Sequence, residues 1–109
     1  MFKIEGTYIT LTRGDTLECK VNIYDADGNE YTPSGNDVVR FALKKTACDR
    51  QPAIYKVIPN DTMILTIEPE DTQDLEFGTY VYDIQITLAD GTVDTFIADA
   101  RFNIGVEVE

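Results

Sequence analysis

From Tyr80 to Leu88 the residues Tyr80, Tyr82, Ile84, Ile86 and Leu88 fall at every second position, with Val81, Asp83, Gln85 and Thr87 between them. Side chains alternate across a strand, so this pattern describes one buried and one solvated face, whereas helical spacing would set Asp83 and Thr87 among buried neighbours. Ala89-Asp90-Gly91-Thr92 follows. Asp-Gly between two alternating runs predicts a tight turn, because Gly tolerates positive φ and Asp bonds its own backbone. The return run offers Phe96, Ala98, Ala100, Phe102 and Ile104 on one face and Thr95, Ile97, Asp99, Arg101 and Asn103 on the other. A hairpin from Glu76 to Ile104 is therefore the element around which the rest must pack.

The approach to this hairpin, Glu76-Phe77-Gly78-Thr79-Tyr80-Val81-Tyr82, resembles the immunoglobulin pattern of an acidic residue, a Gly and a Tyr at every second position. The resemblance implies that Tyr80 is a corner tyrosine whose hydroxyl bonds back to upstream backbone, with Gly78 beside it. The immunoglobulin Cys is replaced by Tyr82, so the inter-sheet disulfide is absent.

Earlier segments repeat the β texture. Phe2 to Thr12 reads as a first strand, and Arg13-Gly14-Asp15 as a turn, although the same tripeptide is an integrin ligand. Thr16 to Tyr24 reads as a second strand with Leu17, Cys19, Val21 and Ile23 inward. Asp25 to Glu30 has acids like a calcium loop, but Gly28 directly follows Asp27 and the flanks are strands, so a hairpin turn is expected, with weak surface calcium binding as the other reading. Its Ile-x-x-Ala-Asp-Gly-x-x-x-Thr frame, from Ile23, returns at Ile86. Asp37 to Lys45 is a third strand with Val39, Phe41 and Leu43 inward; Lys44, Lys45 and Arg50 form the only basic cluster, expected at a solvated strand end. Ala53 to Ile58 is a strand of open register, and Thr62 to Glu68 another with Met63, Leu65 and Ile67 inward. Pro69 to Leu75 is a candidate helical turn, since Pro suits the first helical position and acids suit that end of the dipole. About seven strands at regular spacing give an all-β sandwich class, and the resemblance at the Tyr80 corner implies a single immunoglobulin-like antiparallel β-sandwich domain over residues 1–109.

The chain has a net charge of −11, with 20 acids against 9 bases, so phosphate backbones and anionic membrane surfaces would repel it. No nucleic-acid or membrane partner is expected, and a basic protein or divalent cations would suit the acidity. No apolar run follows Met1-Phe2-Lys3-Ile4-Glu5 as a signal peptide requires, so synthesis in the cytoplasm is expected, and Cys19 and Cys48 are expected as free thiols. There is no His, the single Ser34 has no base in sequence reach, and no glycine-rich phosphate loop exists. The expectation is a non-enzyme without cofactor or metal site.

Arg13-Gly14-Asp15-Thr16, Asp25-x-Asp27-Gly28, the run Asp37 to Lys45 and Gly78 to Ile84 together resemble small immunoglobulin-like proteins encoded in prophages of gut Firmicutes. More loosely they are similar to the N-terminal domain of phage baseplate upper proteins. The resemblance implies a virion-associated structural module that docks other virion or host-surface proteins or its own copies. A binding module for a cell-surface carbohydrate or protein is the alternative. Tyr24, Tyr31, Tyr55 and Ile97 are the candidate contact residues, expected outward on their strands.

Overall fold

The computed structural model describes residues 2–5, 8–24, 27–33, 35–46 and 48–105, of which 2–5, 96, 98 and 99 are described by backbone alone. The strands are β1 (Phe2–Glu5), β2 (Tyr8–Thr12), β3 (Leu17–Lys20), β4 (Ile23–Tyr24), β5 (Glu30–Tyr31), β6 (Val38–Lys44), β7 (Ile54–Ile58), β8 (Ile64–Ile67), β9 (Gly78–Thr87) and β10 (Val93–Gly105). One helical turn, α1 (Pro69–Thr72), precedes β9. The protein is all-β.

Six strands form one sheet in the order β1-β2-β10-β9-β6-β7, while β3 pairs with β8 and β4 with β5. Buried side chains from the large sheet and from the β3–β8 ladder merge in one core, in which Leu11, Leu17, Val39, Phe41, Leu43, Ile67 and Phe102 are fully inaccessible. Phe41, Tyr82 and Phe102 form its aromatic centre, with ring centroids 5.4 to 6.3 Å apart. Tilted and edge-on rings at this spacing pack favourably beyond their buried area.

The central hairpin forms as the alternation dictates. Tyr80, Tyr82, Ile84 and Ile86 are each 3 to 4% exposed. The turn closes by bonds from the Gly91 amide to the Leu88 carbonyl and from the Leu88 amide to the Thr92 carbonyl. Gly91 sits at φ +92°, a conformation other residues avoid, and Gly28 of the echoing turn adopts +86°. The Asp90 carboxylate accepts the Thr92 amide at 2.9 Å, which holds its pKa below the ordinary value.

Four expectations need correction. Phe2 to Thr12 is two strands, with β1 folded back antiparallel on β2 (Glu5 opposite Tyr8), which an uninterrupted reading of β-forming residues hides. The second strand is broken after Lys20: the Val21 amide still bonds in register to the Met63 carbonyl, but Met63, at φ +54°, turns its own amide to the Pro59 carbonyl and the β3–β8 ladder ends there. With β4 and β5 added, the described residues form ten strands, and the large sheet is mixed because β2 runs parallel to β10. Finally, β10 slips register against β9 on both sides of Ile97: Thr95 faces Gln85, Ile97 faces Ile84 and Ala100 faces Tyr82. Each slip inserts one extra residue in β10, so Ile97 turns to the core side, whereas Ala100, Phe102 and Ile104 beyond the second slip are buried at even-numbered positions. The placements expected for the side chains of Phe96, Ala98 and Asp99, for Asp25 and Ala26, for Ser34 and for the tail from Val106 lie outside the described residues.

Other local features follow from residue chemistry. Pro69 occupies the first turn of α1, and the Asp71 carboxylate accepts the Glu68 amide at 2.8 Å. The same Asp71 oxygen lies 2.7 Å from Lys56 Nζ. Lys56 points to the inner side of β7 between buried Ile54 and Ile58, so this edge strand carries an inward charge that the helical turn neutralises.

Candidate functional site

Tyr80 is 3% exposed and its hydroxyl donates to the Glu76 carbonyl at 2.9 Å. Gly78 lies between them at φ +135°, and a side chain there would strain the backbone. Lys45 Nζ lies over the Tyr80 ring at 4.8 Å and 3.4 Å from Glu76. This corner belongs to the scaffold. The same holds for Arg13: its guanidinium stacks 4.2 Å from the Phe77 ring centre and donates to the Leu75 carbonyl at 3.3 Å. The Gly14 amide donates to Thr72 Oγ1 at 2.9 Å. The Arg-Gly-Asp tripeptide thus ties the β2–β3 turn to the segment that leads into β9.

The proposed contact residues do not gather on one surface. Tyr24 and Tyr31 both belong to the β4–β5 hairpin, opposite Glu30 and Ile23 respectively, and are 59% and 36% exposed. With Ile23, Ile86, Leu88 and Asp94 they wall a shallow recess of about 250 Å³. The Tyr31 hydroxyl donates to Asp37 at 2.6 Å, and this bond raises its pKa. Asp37, 8% exposed, also accepts the Ala89 amide at 3.1 Å, so it clamps the β4–β5 hairpin to the β9–β10 turn. Ile97, expected outward, is instead half-buried and packs on the core, and the two register slips around it are the reason. Tyr55 lies elsewhere, on the outer face of the large sheet, with Val57 beside it; they are 51% and 59% exposed.

That outer face holds the feature that sequence reading missed. On β6 the small Ala42 sits between Asp83 of β9 and Tyr55 of β7, while Arg40 sits between Gln85 and Val57. A missing side-chain volume at Ala42 leaves an open groove of about 240 Å³, walled by Arg40, Lys44, Arg50, Tyr55, Asp83 and Gln85. Arg40 Nη2 donates to Thr87 Oγ1 at 2.6 Å, but its Nε is buried without a hydrogen-bond partner among the described residues. Leaving such a donor unsatisfied costs about 1–3 kcal/mol. The basic cluster read from sequence divides: Lys45 goes to Glu76 and Tyr80, whereas Lys44 and Arg50 join Arg40 at the groove. Strand pairing sets Arg40 and Ala42 beside Gln85 and Asp83, and the β6–β7 connection brings Arg50 to the same groove; the one available sign was Ala42 alone between long side chains.

Cys19 and Cys48 are free thiols; Cys19 is half-buried, which raises its pKa, and Cys48 is exposed. Among the described residues no group of three or more Cys, Asp or Glu is placed to hold a metal ion. Among them no helix is long and apolar enough to cross a membrane. No protein-family model matches the chain, and neither a curated protein nor a solved structure is significantly similar to it.

Proposed function

We propose that the chain is an immunoglobulin-like sandwich that serves as a non-catalytic docking module of a tailed phage or prophage, associated with the virion. The observation that carries the docking reading is the outer face at β6 and β7, where Tyr55 and Val57 are exposed beside the groove at the edge of the large sheet. Exposed aromatic and apolar side chains flanking polar groups are what a partner needs for anchoring. The immunoglobulin-like reading draws on strand order: β3 and β8 form one ladder while β6, β9 and β10 are neighbours in the other sheet. It draws also on the backward bond from Tyr80 to Glu76. The phage setting comes from the turn and strand motifs of the sequence. A carbohydrate-binding role is the second reading, favoured by the juxtaposition of Tyr55 with Asp83 and Gln85 in one groove.

Mass spectrometry of purified virions tests the setting. The chain is expected among particle proteins at a stoichiometry tied to a tail or baseplate component, and its absence from particles would remove the virion role. Glycan-array binding by the isolated protein, with no association to virion proteins, would transfer the assignment to the second reading.

A further inference from the structure

We propose that the groove over Ala42 seats carboxylate side chains of an acidic polypeptide segment on the protein to which the module docks; this rests on the docking reading above. Three cations, Arg40, Lys44 and Arg50, converge there against one acid, Asp83, in a chain whose net charge is −11. A cleft in which one sign of charge outnumbers the other focuses its field toward that sign, and the Debye length at physiological salt is about 8 Å. The molecule is 45 Å long, so acids remote from the groove are largely screened at its mouth, while the three lining cations act at contact range. The groove thus attracts an anion although the whole protein does not.

Size and neighbours select the kind of anion. A volume of 240 Å³ is below the roughly 300–1,000 Å³ of sites that enclose small ligands, and suits one or two side chains entering from an open surface. Arg40, Lys44 and Arg50 line the groove with guanidinium and ammonium groups, whose charge-assisted N–H donors suit a carboxylate. Tyr55 and Val57, exposed along β7, supply apolar surface for the backbone and stems that flank such a side chain.

The test uses the full chain, labelled with nitrogen-15, in 150 mM salt, titrated with a blocked hexaglutamate peptide. Hexaglutamine, a sulfated hexasaccharide and inorganic phosphate serve as separate arms. Saturable shifts at the amides of Ala42, Tyr55 and Gln85 with hexaglutamate, and none with hexaglutamine, are expected. Arg50→Glu, at an exposed loop position, should weaken binding about tenfold without moving the melting temperature, and Lys44→Gln should weaken it less. Absence of shifts, shifts centred elsewhere, or equal binding by Arg50→Glu would overturn the proposal. So would groove binding by the hexasaccharide or phosphate in place of the peptide. A chain found in virions but silent to hexaglutamate would sink this inference alone, and a chain that binds hexaglutamate but is missing from virions would sink only the virion setting.

Discussion

Tyr80 and Tyr82 share a strand face yet depend on different physics. The Tyr80 hydroxyl reaches the Glu76 carbonyl, so Tyr80→Phe removes one hydrogen bond and leaves a partly buried acceptor. A loss of about 0.5–1.5 kcal/mol in urea unfolding is expected. Tyr82 is 3% exposed, and burial, with repulsion from Cys19 second, pushes its hydroxyl up to about 12. In the unfolded chain a tyrosine ionises near pH 10. The native state therefore keeps an advantage from the neutral form that is complete below pH 10 and disappears as pH rises through about 12. Two pH units correspond to roughly 2–3 kcal/mol. Denaturant titrations at pH 9, 10.5 and 12 should show that decline, and Tyr82→Phe should flatten it. Burial likewise raises the Cys19 thiol, so a maleimide at pH 7.5 should modify exposed Cys48 well before Cys19.

At the scale of elements, β10 shows why alternation is reliable only between irregularities. Even-numbered residues of β9 are buried without exception from Tyr80 to Ile86, and Ala100, Phe102 and Ile104 keep the same parity on β10. Two extra residues between Thr95 and Ala100 cancel each other over the whole strand but invert Ile97 between them. Nothing in the composition of that stretch marks the slips, because their cause is the match to β9 across the ladder. Ile97→Asp tests the inversion: a half-buried position should cost about 1–3 kcal/mol in stability, whereas a purely outward one would cost little. The helical turn is a second case. Asp71 both caps α1 and pairs with Lys56 of the edge strand, so Asp71→Ala should destabilise more than Lys56→Ala, by about 1 kcal/mol, as measured by denaturant midpoints.

Over the whole molecule, 20 acids against 9 bases produce self-repulsion that the core must outweigh. Raising sodium chloride from about 10 to 150 mM shortens the Debye length from about 30 Å to about 8 Å, so the melting temperature is expected to rise. The distribution of the bases matters more than their number. Lys45, Lys56 and Arg13 are spent on Glu76, Asp71 and the Phe77 ring, while Arg40, Lys44 and Arg50 are held at one groove.

Local order was legible in the chain because it depends on neighbours in sequence. Alternation set the faces of β6, β8 and β9, Asp90-Gly91 set the hairpin turn, and Pro69 with Asp71 set the helical turn. The fold-back of β1 on β2, the parallel seam between β2 and β10, the inversion of Ile97 and the groove over Ala42 were decided by tertiary structure. Each depends on which strand lies alongside, and pairing across a ladder joins residues such as Ala42 and Asp83 that share no local pattern.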